Sequence, residues 1–223
     1  MKHYVINYIR KAVYLIVLFV CFPSYSGSYD DYFVAIKQDD ATTISALLSR
    51  GFDANTRSPT GEYGLALAIR QPSLKVVSAL IAWPKTNVEA RNAKDESPLM
   101  LASITGLLDI AKQLIDRGAD VNKPGWAPLH YAATKGHVAL MELLLEHHAY
   151  IDAASPNGST PLMMASLYGT PAAVKLLLEA GADPLLINEQ GLTAIDFAYR
   201  DKRAESAEII AAFVRARQPK GKW

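Results

Sequence analysis

The sequence holds a single cysteine, Cys21, in 223 residues. That excludes a disulfide framework and any metal site built from cysteine pairs, so the fold must be held by packing. An excess of either charge is also missing, with 23 Lys and Arg against 22 Asp and Glu. The small basic surplus sits at the start. Residues 1–26 carry Lys2, Arg10 and Lys11 and no acid, and without them 20 basic residues face 22 acidic ones, a balance of −2. A body this close to neutral has no general attraction for nucleic acid. The late cluster Arg215, Arg217, Lys220 and Lys222 reads as a solvated chain end.

Catalytic patterns are absent as well. There is no phosphate-cradling glycine loop, no strained serine turn and no pair of histidines four residues apart, the spacing that places two imidazoles on one helix face. His147 and His148 adjoin Glu146 without that spacing. Asp30–Asp31 and Asp39–Asp40 lack a facing acid or base and read as helix caps and solubilising charge. Met100, Met163 and Met164 read as packing residues. Asn157-Gly158-Ser159 matches a glycosylation acceptor, but it also marks a tight turn, which is the reading adopted. The expectation is a protein with no enzymatic activity, no cofactor and no metal ion.

Apart from one stretch, long apolar runs are missing too. Ala12–Phe22 is eleven residues long, short of the roughly 20 that span a bilayer as a helix. It follows the positive region and precedes Pro23-Ser24-Tyr25-Ser26-Gly27-Ser28, the layout of a secretory signal peptide over residues 1–26. Cleavage is expected after Ser26, with Ser28 as the next choice. The rival reading is a retained membrane anchor, for which the run is short. Lipid attachment at Cys21 is disfavoured because Phe19 and Val20 stand where such sites carry small residues. The expected location is periplasmic, with membrane contact only through the signal peptide.

What is present is a repeat. One alanine recurs at Ala35, Ala68, Ala102, Ala132, Ala165 and Ala198, at spacings of 33, 34, 30, 33 and 33. Three residues earlier stands Leu65, Leu99, Leu129, Leu162 or Ile195, and sixteen later Gly51, Gly118 or Gly181, with His148 in one unit. Between them run Leu47-Leu48, Leu80-Ile81, Leu114-Ile115, Leu144-Leu145 and Leu177-Leu178. Periods of this length signal stacked supersecondary units. Thr160-Pro161 and Ser97-Pro98 open a first helix, because the hydroxyl caps free N–H groups and proline is tolerated at the first helical position; Ala127-Pro128 keeps only the proline. The recurring alanine is small so that neighbouring helices approach closely. Gly106, Gly136 and Gly169 are expected to end the first helix in left-handed backbone. The leucines follow on a second helix, which the later glycine ends.

Pro128-Leu129-His130-Tyr131-Ala132-Ala133, Gly136-His137, Leu143-Leu144-Leu145-Glu146 and Thr160-Pro161-Leu162 resemble the ankyrin repeat motif, in register over about residues 30–215. With the export signal, the chain is similar to exported (periplasmic) bacterial ankyrin-repeat proteins. The resemblance implies an all-α solenoid of about six helix-turn-helix units with short hairpin fingers, over residues 27–217. The units fall at about 30–55, 56–88, 89–122, 123–154, 155–187 and 188–217, before a tail at 218–223. It also implies that His130 bonds the neighbouring loop as a structural residue; His137 reads the same way. Unit 1 lacks the opening Thr-Pro, unit 2 has Tyr63-Gly64 in its place, and unit 4 has a shortened finger, Asn122–Trp126. Pro84 is expected to end the second helix of unit 2 early. The polar outer helix of unit 6, with Arg203, Glu205, Glu208 and Arg215, suits a terminal cap.

Such proteins bind other proteins through fingertips and inner helices, which the resemblance places at Glu62, Glu96, Trp126, Ser159 and Leu192, and at Arg70, Gln71, Ile104, Thr105, Thr134, Lys135, Leu167 and Tyr168. Trp126 and Tyr168 are the preferred anchors, since aromatics dominate interface energetics. Each has a second reading, Trp126 as packing at the finger base and Tyr168 as a shield over a seam. Arg70 and Lys135 are candidates for steering an acidic partner. The expected function is a monomeric protein binder in the bacterial envelope. The alternatives are an immunity protein blocking a secreted toxin or effector enzyme, and a support factor for peroxide defence. A host-directed effector stays open.

Overall fold

The computed structural model describes residues 25–217. The expected signal peptide lies outside them except for Tyr25 and Ser26, as does the tail at 218–223. Twelve helices fill the described chain in six pairs: α1 (Tyr25–Lys37) with α2 (Ala41–Ser49), α3 (Gly64–Arg70) with α4 (Leu74–Ala82), α5 (Pro98–Thr105) with α6 (Leu108–Asp116), α7 (Pro128–Lys135) with α8 (Val138–Glu146), α9 (Pro161–Tyr168) with α10 (Pro171–Glu179), and α11 (Ala194–Arg200) with α12 (Ala204–Arg217). Odd-numbered helices stack on one another and even-numbered helices do the same. The result is two helical layers running along the repeat axis. The fingers join the pairs, and among the described residues their only β-type pairing is one antiparallel bridge between Arg57 and Tyr63.

The recurring side chains build the core between the layers. All six alanines are buried on the inner, odd-numbered helices, and Leu65, Leu99, Leu129 and Leu162 are buried three residues before them. The outer helices contribute Leu47, Leu80, Leu114, Leu144 and Leu177. Helix starts follow the expected chemistry. Ser97 accepts a hydrogen bond from the Met100 amide at 3.3 Å and Thr160 one from the Met163 amide at 3.3 Å. Asp40 caps α2, accepting from the Thr42 and Thr43 amides, each at 3.0 Å. Asp39 reaches into the next unit, where it accepts from Val76 in the first turn of α4 at 3.0 Å.

The departures from the motif have local causes. Gly64 opens α3 because the side chain of Tyr32 fills the space beside it: a Cβ there would overlap the phenol, whose hydroxyl donates to the Ala54 carbonyl at 2.9 Å. Pro84 does not shorten α4. That helix has nine residues, as do α6, α8 and α10, because the proline lies two positions beyond the last helical residue and replaces nothing inside it. Gly106 and Gly136 end their helices at φ 76° and 69°. Gly169 does not; it has φ −80°, and its glycine is required by close approach, since a Cβ would run into the Ala133 carbonyl of the preceding unit. Unit 6 is a polar cap only on α12. The segment leading into it leaves Leu185 and Ile187 each 64% exposed, and Tyr199 on α11 is 63% exposed.

Candidate protein-binding site

The inner helices end on a common surface, and two regions of it differ in character. Over units 2 to 4 the surface is polar and internally paired. Arg70 at the end of α3 lies 3.4 Å from Glu62 of its own finger and 3.0 Å from Glu96 of the next. The Glu96 carboxylate also accepts from Asn92 at 2.7 Å and from the Tyr131 hydroxyl of α7 at 3.2 Å. Burial and this carboxylate push the Tyr131 phenol up from its ordinary value. Asp95 pairs with Lys123 and, at 3.4 Å, with Arg91; the Lys123 ammonium is the main reason that the Asp95 carboxyl lies below its usual range. Glu62, Arg70 and Glu96 therefore satisfy one another. The Arg70 charge, expected to be available for steering an acidic partner, is thus met from two fingers within the chain.

Over units 4 to 6 the surface opens into a cleft of about 420 Å³. Trp126 from the short finger, Leu167 and Tyr168 from the end of α9, and Phe197, Arg200 and Asp201 around α11 line it, together with Asn157, Met164 and Gln190. Tyr168 is 57% exposed. Trp126 is half-buried and stands edge-on to the His130 ring, at 5.3 Å between centroids and 77° between planes, so it packs at the finger base and also lines the cleft. His130 is buried. Its Nδ1 accepts from the Ala127 amide at 3.2 Å and its Nε2 lies 3.0 Å from the Ser159 carbonyl. The neutral tautomer with the proton on Nε2 satisfies both, and burial holds the imidazole below its ordinary value.

Ser159 is 1% exposed and lies at the bottom of the cleft rather than at a fingertip. Its amide is held by the Ser155 hydroxyl at 3.0 Å and its carbonyl by His130, making it the floor of the cleft. Gly158 takes φ 73°, in keeping with the turn reading of Asn157-Gly158-Ser159. The structure thus brings together Trp126, Leu167 and Tyr168. Ile104 and Thr105 lie at the end of α5 and Thr134 and Lys135 at the end of α7, outside the cleft lining, while Gln71 is exposed beyond α3. Sequence reasoning missed Arg200 and Asp201, although they stand two and three residues after Ala198, as Leu167 and Tyr168 stand after Ala165. Phe197, Met164 and Gln190 carried no such signal.

The helix pairs, their period and the stack of inner helices agree with what known proteins show. The family described as ankyrin repeats (3 copies) matches residues 32–124 and 121–188. The chain belongs to the ankyrin-repeat family. Members of this family act by protein–protein interaction and are generally non-catalytic binding domains.

Among relatives, a putative ankyrin repeat protein of Escherichia coli, YahD, is 27% identical over 191 residues, covering 82% of this chain and 94% of its own. The ankyrin repeat and KH domain-containing protein mask-1 of Caenorhabditis elegans is 32% identical over 151 residues, 66% of this chain. The chain spans only 6% of the length of that relative and 15% of ankyrin repeat and SAM domain-containing protein 6 of Mus musculus. Two solved structures resemble the whole stack. An ankyrin repeat domain from Acinetobacter baumannii is 27% identical at a TM-score of 0.71, covering 82% of this chain and 97% of its own. A chain in the complex of the predatory endopeptidase Bd0816 with the immunity protein Bd3460, from Bdellovibrio bacteriovorus, is 28% identical at a TM-score of 0.70 with the same coverage.

Proposed function

We propose that this chain is an exported, monomeric binder of the bacterial envelope that docks a partner protein in the cleft between units 4 and 6. The observation that carries the docking site is the cleft itself, a concavity of about 420 Å³ rimmed by an exposed tyrosine and a half-buried tryptophan. Large aromatics on a rigid concave surface lose little entropy on binding and bury much area. Export is supported by the positive, apolar and small-residue order of residues 1–26. Cleavage after Ser26 leaves Tyr29, Tyr32 and Phe33 of the first unit in place. A bacterial setting is supported by the bacterial proteins that match the stack over nearly their full lengths.

A second reading, an immunity protein covering a secreted enzyme, is favoured by one observation: the similar stack in the endopeptidase–immunity protein complex. A cleft with Trp126, Tyr168 and Phe197 in its lining suits a loop at the mouth of an enzyme's active site. Both readings are tested with mature protein, residues 27–223, used to capture partners from an envelope fraction. Tyr168→Ala, at an exposed position, is expected to leave the fold intact and lower recovery of the specific partner at least tenfold. Equal recovery by wild type and Tyr168→Ala removes the proposed site. Inhibition of the captured protein's own enzymatic activity selects the immunity reading. A reporter enzyme fused after Ser28 tests export, and activity confined to the cytoplasm would overturn it.

A further inference from the structure

Arg70 and Arg200 occupy the same place in their units, two residues after the repeated alanine. Their surroundings differ in one respect. Arg70 is met by Glu62 at 3.4 Å and Glu96 at 3.0 Å, both of which stand six residues before a repeated alanine. In unit 6 that position is Leu192, and no further finger follows α12 among the described residues. Arg200 consequently makes no ion pair or side-chain hydrogen bond there, and it is exposed. Its neighbour Asp201 is turned to Arg203, 3.8 Å away, whose guanidinium also donates to the Gly169 carbonyl. The Arg200 guanidinium therefore stands unneutralised at the rim of a cleft with Phe197 and Met164 in its lining and Tyr168 and Trp126 on its walls.

We infer that the cleft takes a partner segment carrying a carboxylate beside an apolar or aromatic side chain. The apolar group enters between Tyr168 and Trp126, and the carboxylate closes on Arg200, reproducing between two molecules the pair that Arg70 and Glu96 make within one. A guanidinium offers a carboxylate two parallel N–H donors, which fixes orientation as well as charge. This inference rests on the cleft being the docking site.

The test is selection of a phage-displayed library of random twelve-residue peptides on the mature protein, followed by measured binding of the enriched peptides. The expected result is enrichment of Asp or Glu within two residues of Phe, Tyr, Trp, Leu or Met. Those peptides bind Arg200→Ala at least tenfold more weakly, and reselection on Arg200→Glu replaces the acidic residue with Lys or Arg. Because Arg200 makes no ion pair among the described residues, thermal unfolding of both variants should match wild type. Peptides that are lost with Tyr168→Ala but carry no acidic preference, or that bind Arg200→Ala unchanged, overturn the inference and leave the docking site standing. No enrichment, or peptides indifferent to Tyr168→Ala, overturns both.

Discussion

At Gly169 a Cβ would overlap the Ala133 carbonyl oxygen and lie 2.9 Å from both the Cα and the carbonyl oxygen of Ala165. The obstacles are backbone atoms, which cannot rotate away. Gly169→Ala is therefore expected to force α7 and α9 apart and to destabilise the protein by about 1–3 kcal/mol, the usual cost of overpacking. The check is urea unfolding; a loss under about 0.5 kcal/mol would show that the seam gives way easily. His130 makes a different kind of demand. Burial holds its imidazole below the 6.5 of an ordinary histidine, so in acid the unfolded chain takes up the proton first. Its contribution is then complete above about pH 6.5 and is lost as the pH falls toward the folded-state value. The stability lead of wild type over His130→Gln should shrink between pH 7.5 and pH 5.5. A lead that is constant or grows in acid would mean that the imidazole is not held neutral.

Between successive fingers runs a ladder in which a side chain at the base of one finger accepts from a backbone amide at the base of the next. Asn55 accepts from Asn87 at 2.8 Å, Glu89 from Asp120 at 2.9 Å, Asn122 from Tyr150 at 2.8 Å and Asp152 from Asp183 at 3.2 Å. The two asparagines also donate onward, to the Lys85 and His148 carbonyls at 2.9 and 2.8 Å. A carboxylate cannot donate. Desolvation and a neighbouring aspartate push the Glu89 and Asp152 carboxyls up from their ordinary values. A raised folded-state value favours the fold when the group is protonated and costs stability as the pH rises through it. Asp152→Asn should therefore stabilise at pH 7, by about 0.5–1 kcal/mol for one added hydrogen bond, with Nδ2 reaching the Gly181 carbonyl. The gain should fade below about pH 4, where aspartate itself is protonated. Urea midpoints at the two pH values decide it, and a loss at pH 7 would contradict it. The helices were legible from sequence because their alanines and leucines repeat by contact with an identical neighbour. The ladder was not, because Asn, Glu and Asp share only the ability to accept a hydrogen bond and so leave no letter pattern. The same holds for the site. Trp126 and Tyr168 were readable as large side chains at variable positions, whereas the quenching of Arg70 depended on glutamates whose reach across a seam only the fold reveals.

Along the whole molecule the stacking is uneven. The inner helices α5, α7, α9 and α11 pack on one another more extensively than α1 packs on α3 or α3 on α5. At the tight end glycines also face backbone of the adjoining unit, Gly136 that of Thr170 and Gly169 that of Ala133, whereas Gly64 at the other end faces only the side chain of Tyr32. The first two units are also joined by single polar links, Ser73 donating to the Ile36 carbonyl at 2.6 Å and Asp39 accepting from Val76. In a linear stack each unit is stabilised only by its neighbours, so partial opening starts where the interfaces are weakest. Native-state hydrogen exchange in mild urea should then show α3 opening by a route that leaves α7 and α9 closed, with protection at least tenfold lower in α3 than in α7. Equal protection would mean that the stack opens as one unit; greater protection in α3 would place the weak end on the wrong side. The direction bears on binding, because Trp126 and Tyr168 lie in the tightly packed half. A site there is preformed, and its partner is not required to spend binding energy on ordering it.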